Sequence, residues 1–142
     1  MTATKVLMTG ATGFVGSHTA AALRGRGFAV RALARASADT GPLRQLGVEL
    51  VEGDLEDEAA LRRAVCGTTV VLHLAALTRA TSQAAYDRVN AAGTRTLVRV
   101  AMETEPAPRR FVYLSSLAAA GPSANERGVG PADTPEPLTA YG

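Results

Sequence analysis

The sequence predicts an α/β protein built on a doubly wound parallel sheet. Two patterns support this prediction: short apolar, β-branched runs recur along the chain, and longer segments with helical spacing separate them. A glycine-rich turn directly after the first run is a third indication. The runs are almost continuously apolar, as is typical of parallel strands that are buried on both faces.

Five strands and four helices are predicted in alternation. The strands are the apolar runs at residues 5–9, 29–34, 48–52, 69–74 and 110–115. The helices are the segments between turn-forming residues at 13–24, 42–46, 56–65 and 82–103. Right-handed crossovers arrange such elements as one sheet with helices on both faces.

Length, composition and charge exclude several classes of protein. With 142 residues, 46% hydrophobic and 20% charged, the chain resembles one soluble globular domain. A net charge of +2 without a basic run argues against nucleic-acid binding, and no apolar run suits a membrane span. The single cysteine and the lack of a signal-peptide pattern favour the cytoplasm. We expect Cys66 to be a buried structural thiol.

The glycine-rich turn predicts a site for an anion. Gly10 can make the tight turn, Gly13 lets backbone amides approach a pyrophosphate, and Gly16 lets the next helix pack closely on the sheet. The alternative is a turn that serves helix packing only. The predicted dinucleotide-binding residues of this segment are Gly10, Thr12, Gly13, Phe14, Val15 and Gly16.

The three-residue spacing of these glycines differs from the common dinucleotide fingerprint by one residue in its first gap. It resembles the pattern of the extended short-chain dehydrogenases/reductases, the NAD-dependent epimerase/dehydratase family. The resemblance implies a Rossmann fold, hydride transfer at a carbonyl or secondary alcohol, and a small-molecule substrate. It covers the whole chain but only about half the family's length, so we expect an N-terminal portion truncated after the fifth strand.

The end of the second predicted strand bears on the choice of cofactor. Family members commonly have an aspartate there, which binds the adenosine ribose of NAD, whereas this chain has Ala34 followed by Arg35. A guanidinium can hold a 2′-phosphate with two charge-assisted hydrogen bonds, so we expect NADP, with NAD as the second choice. The alternative is that Arg35 is a solvated surface residue.

Two further motifs agree with the family in order and spacing. The resemblance implies that Asp54 accepts a hydrogen bond from the adenine amino group and that the amide of Leu55 helps to hold the ring. Asp54 alternatively serves only as the N-cap of the next helix. Ala75 and Ala76 follow the fourth strand, where small residues let the backbone pass beside the nicotinamide ribose. We expect His73 to be a core histidine.

An asparagine lies on the inward face of the longest predicted helix. Steps of three and four residues place on this face Tyr86, Asn90, Gly93, Leu97 and Val100. One interpretation is that Asn90 makes a structural hydrogen bond to a neighbouring strand. The surrounding residues also resemble the family's asparagine-containing helix motif, which implies that Asn90 supports the active site and its proton relay.

The predicted chemistry lies at the carboxyl edge of the sheet, where the fifth strand ends. The resemblance implies that Ser116 orients the reacting oxygen of the substrate and that Tyr141 exchanges a proton with it, while the nicotinamide exchanges a hydride. Alternatively, Ser116 merely ends the strand. The family's lysine, one helical turn after the tyrosine, has no counterpart in these 142 residues, so we expect this chain alone to be nearly inactive. No metal site is predicted.

Two points concern domain organisation and substrate. We divide the chain into a dinucleotide-binding domain, 1–121, and a Pro- and Gly-rich active-site loop with the start of a further helix, 122–142, with the substrate domain absent. Ala120 stands where some sugar-modifying relatives have a second tyrosine, which favours a carbonyl or hydroxysteroid-like reductase over a sugar epimerase.

Two questions stay open at this point. The first is whether the chain forms a homodimer, which is common in the family. The second is whether it catalyses a reaction at all, because a non-catalytic NAD(P)-binding sensor or interaction module is the alternative function.

Overall fold

The computed structural model describes residues 4–123 and 125–142. Within these residues the strands are β1 (Lys5–Thr9), β2 (Ala29–Ala34), β3 (Glu49–Glu52), β4 (Val70–His73) and β5 (Arg110–Tyr113). They form one sheet in the order β3-β2-β1-β4-β5, and each adjacent pair is parallel. The predicted parallel sheet is therefore confirmed.

Helices cover both faces of the sheet. They are α1 (Phe14–Gly25), α2 (Gly41–Gln45), α3 (Glu58–Val65), α4 (Gln83–Tyr86), α5 (Gly93–Glu103) and α6 (Leu117–Ala120). α1 and α2 pack on one face, and α3 and α5 pack on the other. This is the arrangement of a doubly wound α/β fold, as predicted.

Two cores result from the alternation of side chains along the central strands. Successive strand residues point to opposite faces, so β1 supplies Val6 and Met8 to the core under α1 and α2. The same strand supplies Leu7 to the core under α3 and α5, where Val71 of β4 and Leu97 of α5 are fully buried. β1 is thus buried on both sides, as its apolar sequence predicts.

The strand order creates a crevice at the carboxyl ends of β1 and β4. From β1 the chain moves outward to β2 and β3, and it then crosses to the other side of β1 to form β4 and β5. Helices that leave neighbouring strands in opposite directions separate at such a point, and open α/β proteins bind ligands there. The glycine-rich turn follows β1 directly, so it lies at this crevice.

The longest predicted helix differs from the observed structure. The prediction was one α-helix over 82–103, whereas a π-helical segment, Asp87–Ala92, separates α4 from α5. The hydrogen-bond ladder widens by one residue there, and such segments frequently occur at functional sites. β1 and β2 have the predicted bounds, the other predicted elements are present with ends shifted by one or two residues, and the short α6 was not predicted.

Two burial predictions were wrong. β5 was expected to be covered on both faces, but Val112, Tyr113 and Leu114 are each about half exposed, because β5 is an edge strand of the described sheet. Cys66 was expected to be buried, but it is exposed. Cys66 is the C-cap of α3 and has left the helical conformation, so it does not continue the buried face of that helix.

A buried arginine that the sequence analysis did not single out ties β2 to α3. The guanidinium of Arg31 donates to the carbonyl oxygens of Ala64 (2.8 Å) and Cys66 (2.6 Å), which are acceptors at the end of the helix. It also pairs with Glu49 at 2.8 Å. Partial burial alone would raise the pKa of the Glu49 carboxyl, but the hydrogen bonds from Arg31 and Lys5 outweigh this effect and lower the pKa.

The described residues include neither a candidate membrane span nor a candidate metal site. None of the helices in residues 4–123 and 125–142 has both the length and the apolar character of a membrane span. The same residues contain no cluster of three histidine, cysteine or acidic side chains able to hold a metal ion.

Candidate active site

Two adjacent clefts open at the carboxyl edge of the sheet. The first, of about 550 Å³, lies over the glycine-rich turn, and we call it the glycine cleft. The second, of about 380 Å³, lies over the end of β5 and contains Ser116, and we call it the serine cleft. Ala76, after β4, lines both clefts. A ligand in one cleft therefore lies next to a ligand in the other.

The glycine cleft brings together every residue predicted to bind the dinucleotide. Its lining includes Gly10, Thr12, Gly13, Phe14, Val15, Gly16, Arg35, Asp54, Leu55, Ala75 and Ala76. These residues follow β1, β2, β3 and β4, so the cleft extends across four strand ends. Lining residues that the sequence analysis missed include Thr9, Leu33, Leu77 and Val89. Thr9 and Leu33 lie at or next to the ends of β1 and β2. The same signal, a position at a strand end, identified the predicted residues and could have identified these two.

Gly10 and Gly16 are required by the packing of the protein itself. Gly10 has φ +72°, and a Cβ atom there would lie 2.6 Å from the backbone nitrogen of Ala75. A Cβ atom on Gly16 would overlap the carbonyl oxygen of Gly10 and lie 2.7 Å from the Cα atom of Ala11. These glycines let the turn approach the segment after β4 and let α1 approach the turn, as predicted.

Gly13 differs from the other two glycines because nothing in the protein crowds it. A Cβ atom there would meet only the carbonyl oxygen of Gly10, at 3.4 Å, an ordinary contact. Gly13 is also the N-cap of α1, and no side chain caps this end of the helix. The first amides of α1 and its partial positive charge therefore face the glycine cleft, which suits a phosphate.

Arg35 stands directly after β2, at the edge of the glycine cleft. Its side chain is exposed, whereas the preceding Ala34 is buried. Within residues 4–123 and 125–142, no side-chain hydrogen bond or ion pair engages the Arg35 guanidinium. The guanidinium is thus free to meet an anion at this end of the cleft.

Asp54 forms a local turn and also faces the glycine cleft. Its Oδ1 atom accepts hydrogen bonds from the amides of Glu56 (2.9 Å) and Asp57 (3.1 Å). The N-cap of α3 is Asp57, whose carboxylate accepts from the amide of Ala60, so the alternative of Asp54 as this cap was wrong. Because both of the hydrogen bonds from Glu56 and Asp57 go to Oδ1, the Oδ2 atom of Asp54 can accept a hydrogen bond from a further donor.

His73 connects the glycine cleft to the long helix. Its Nδ1 atom lies 2.6 Å from the hydroxyl of Thr9, and its Nε2 atom lies 2.8 Å from the hydroxyl of Thr94. The Thr9 hydroxyl also accepts a hydrogen bond from the amide of Ala75, at 3.2 Å. The ring is fully buried and stacks on Tyr113, so it is a core histidine, as the sequence analysis expects.

Burial determines the charge state of His73. It lowers the pKa of the imidazole from 6.5 to about 4, because the charged ring would lose its hydration. The ring is therefore neutral at pH 7. A neutral imidazole has one donor and one acceptor nitrogen, which matches one threonine hydroxyl on each side.

The serine cleft contains all three predicted catalytic residues, Ser116, Asn90 and Tyr141. The Oγ atom of Ser116 accepts a hydrogen bond from the amide of Ala118 at 3.2 Å and so caps α6. β5 ends at Tyr113, so the alternative that Ser116 merely ends this strand was wrong. The cleft lining also includes Tyr86 and Tyr113, which were not predicted as site residues.

A long loop returns the chain from Ser116 to Tyr141. The amide of Glu136 donates to the carbonyl oxygen of Ala120 at 3.2 Å, which joins the two ends of the loop. Gly121 has φ +78°, and a Cβ atom there would lie 2.7 Å from the carbonyl carbon of Glu136. This close contact between backbones brings Tyr141, distant from Ser116 in sequence, to the same cleft.

Asn90 holds the segment that separates the two clefts. Its Oδ1 atom accepts from the amide of Leu77 at 2.7 Å, and its Nδ2 atom donates to the carbonyl oxygen of the same residue at 2.9 Å. Its amide is thus satisfied by the loop after β4, not by a strand as one interpretation had it. Both bonds orient the backbone that passes between the clefts.

Comparison with known proteins identifies the family of this chain. The model of the NAD dependent epimerase/dehydratase family matches residues 6–142. The chain is 41% identical over 118 residues to ceramide reductase of Caulobacter vibrioides, covering 83% of this chain and 36% of that protein. It is 37% identical over 131 residues to UDP-glucuronate 4-epimerase 5 of Arabidopsis thaliana, covering 82% of this chain and 30% of that protein.

One solved structure is similar to this chain in both fold and sequence. The complex of MoeE5 with UDP-glucose and NAD superposes with a TM-score of 0.80 at 31% identity, over 96% of this chain and 44% of that one. The chain spans about a third of the length of the curated relatives it matches. The match of the family model over nearly the whole chain shows that this protein belongs to the NAD dependent epimerase/dehydratase family.

Proposed function

We propose that this chain binds NADP in the glycine cleft and places Ser116 and Tyr141 beside the nicotinamide, as part of an enzyme that reduces a carbonyl or oxidises a secondary alcohol. The observation that carries the proposal is the open space at Gly13. Gly10 and Gly16 are explained by contacts within the protein, whereas the lack of a side chain at Gly13 is explained by an approaching ligand.

The residues of the glycine cleft fit a dinucleotide along its whole length. The amides at the start of α1 suit the pyrophosphate, and Asp54 suits the adenine amino group with its remaining carboxylate oxygen. Ala75 and Ala76 leave room for the nicotinamide ribose beside the serine cleft. When bound, the cofactor supplies or accepts the hydride.

The residues of the serine cleft would act on the substrate oxygen. The Ser116 hydroxyl would orient this oxygen by a hydrogen bond, and Tyr141 would give a proton to it or take one from it. Asn90, through its hold on Leu77, would keep the wall between cofactor and substrate in place. Without a lysine at the relay position, we expect the 142 residues alone to bind NADPH but to turn over slowly.

Two observations favour NADP over NAD. The acidic residue that would hold the adenosine ribose of NAD is replaced by Ala34, and the exposed guanidinium of Arg35 follows it. A 2′-phosphate beside a carboxylate would be repelled, whereas beside Arg35 it would gain charge-assisted hydrogen bonds.

Two observations favour a reductase that acts on an uncharged carbonyl. One relative of this chain is named as a ceramide reductase. Ala120, which stands where some sugar-modifying relatives have a second tyrosine, also favours a reductase. Among the described residues, those that line the serine cleft include no lysine or arginine, and their one side-chain carboxylate is that of Asp87. An anionic group next to the reacting carbon would find no counter-charge among these residues.

Thermal unfolding with each cofactor tests the proposal. A ligand that binds only the folded state stabilises it by about 2.7 kcal/mol at 100 times its dissociation constant. NADPH should raise the melting temperature of the chain more than NADH, because only NADPH carries the 2′-phosphate that Arg35 would bind. The variant Arg35→Asp should reverse this preference. Arg44→Asp, with the same change of charge on the exposed side of α2, should not.

Three outcomes separate the parts of the proposal. If neither nucleotide raises the melting temperature, cofactor binding by this chain is refuted. If both do so equally and Arg35→Asp changes nothing, the dinucleotide site stands and the preference for NADP is refuted. If NADPH binds and the chain also turns over rapidly, the expected need for the lysine is refuted.

A further inference from the structure

Tyr86 contacts Tyr141, the candidate proton donor. None of the residue roles proposed above involves this contact. The centroids of the two rings lie 6.0 Å apart, with an interplanar angle of 53°. Both rings line the serine cleft together with Ser116. Tyr86 is the last residue of α4 and lies directly before the π-helical segment.

The hydroxyl of Tyr86 is held by the backbone of the segment that follows β4. It accepts a hydrogen bond from the amide of Ala80 at 3.0 Å and donates a longer one, of 3.5 Å, to the carbonyl oxygen of Thr78. The side chain is therefore anchored at its Cα atom by the helix and at its oxygen by the segment after β4. A ring held at both ends has little rotational freedom.

Tyr86 and Asn90 lie one helical turn apart and hold the same segment. Asn90 binds both backbone groups of Leu77, and Tyr86 binds the backbone of Thr78 and Ala80. Leu77 and Thr78 line the glycine cleft, on the other side of this segment. The helix thus fixes the wall of the glycine cleft and the surroundings of Tyr141 through one set of contacts.

We propose that Tyr86 is a positioning residue whose ring, held by the segment 78–80, sets the orientation of the Tyr141 phenol in the serine cleft. This inference rests on the proposed role of Tyr141 in proton exchange. The Tyr86 hydroxyl is engaged by backbone groups, so Tyr86 acts through the Tyr141 ring and not on the substrate.

Nuclear magnetic resonance of the chain with isotope-labelled tyrosine rings tests the contact. The chain has three tyrosines, so the variants Tyr86→Phe, Tyr113→Phe and Tyr141→Phe assign every tyrosine ring signal. In the wild type we expect a nuclear Overhauser effect between ring protons of Tyr86 and Tyr141. If this effect is absent, the proposal is overturned without any variant that risks misfolding.

Two substitutions at position 86 separate the ring from the hydroxyl. Tyr86→Phe keeps the ring, so the Tyr141 ring signals should stay near their wild-type positions while the amide of Ala80 exchanges faster with deuterated water. Tyr86→Leu removes the ring, so the Tyr141 signals should move towards those of a tyrosine in an unstructured peptide. Tyr113→Phe, which changes another tyrosine of the same cleft, should leave the Tyr141 signals in place.

The same samples distinguish failure of this inference from failure of the proposed function. Slow exchange of the buried amides of α5 in Tyr86→Leu would show that the fold is retained. Unchanged Tyr141 signals in that folded variant would then overturn the positioning role, whatever the cofactor does. A parallel titration of the wild-type chain with NADPH tests the glycine cleft separately, because it leaves Tyr86 unchanged.

Discussion

The two clefts lie side by side, but they are built in different ways. The glycine cleft is lined by residues at the ends of β1, β2, β3 and β4, and its turn is packed so closely that Gly10 and Gly16 have no room for a Cβ atom. The serine cleft is lined by residues of α4, the π-helical segment, the end of β5 and the return of a long loop. The first depends on a local motif, and the second depends on contacts between distant segments.

This difference explains how each cleft tolerates change. A backbone turn held by close contacts has one conformation, so it presents amides to a phosphate without a cost in ordering. Side chains on separate segments need supports, and the supports of the serine cleft are the bonds of Tyr86 and Asn90 to residues 77–80. If the proposed function holds, variation of side chains in the serine cleft would alter the substrate while the glycine cleft would keep the cofactor.

The largest expected effect is that of Gly16→Ala, which adds a methyl group where the backbone of Gly10 and Ala11 already lies. We expect the free energy of unfolding to fall by more than about 3 kcal/mol, measured by urea denaturation, because the turn cannot move without opening the contact with β4. Gly25→Ala, in the last turn of the same helix and free of contacts, is the matched control and should not destabilise the protein. A Gly16→Ala variant as stable as the wild type would show that the close contact is not essential.

A smaller effect tests His73, which links Thr9 of the glycine cleft to Thr94 of α5. Its pKa in the folded state, about 4, lies below the ordinary value of 6.5, so the unfolded chain binds the proton more readily between these values. Stability should therefore decrease as the pH falls, by about 2 kcal/mol between about pH 6.5 and 4.5. Urea denaturation at several pH values measures this slope.

Two variants assign the slope to His73. His73→Gln should remove most of the decrease over this range, and the part that remains comes from carboxylates with a lowered pKa such as Glu49. His18→Gln, on the exposed side of α1, should retain the full decrease. An unchanged slope in His73→Gln would show that other groups cause the dependence and that the buried ring does not carry this penalty.

The sequence predicted the glycine cleft better than the serine cleft, and the reason is physical. The order of strand, turn and helix around Gly10 and Gly16 is local, so a parallel sheet brings the strand ends together once the strands are known. The neighbours of Tyr141 depend on a π-helical segment and on the joining of Ala120 to Glu136, neither of which has a local signal. Tyr86 was placed on the correct helix face, but its contact with Tyr141 was not foreseen.

Exposure was the least predictable property. Val112 and Leu114 read as core residues because β5 is apolar, yet their exposure depends on which elements lie beside the strand. Cys66 was predicted to be buried because it lies at a helix end, but as the C-cap of α3 it has left the helical conformation and is exposed. Both outcomes are set by neighbours in space rather than by neighbours in sequence.

The most direct test of the central claim is a calorimetric titration of Gly13→Ala with NADPH. We expect this variant to fold with nearly wild-type stability, since the added Cβ atom meets only the Gly10 carbonyl oxygen at 3.4 Å. Its affinity for NADPH should fall more than about tenfold, or about 1.4 kcal/mol, because the methyl group occupies the space of the phosphate. Wild-type affinity in the folded variant would contradict binding of the dinucleotide at the glycine turn.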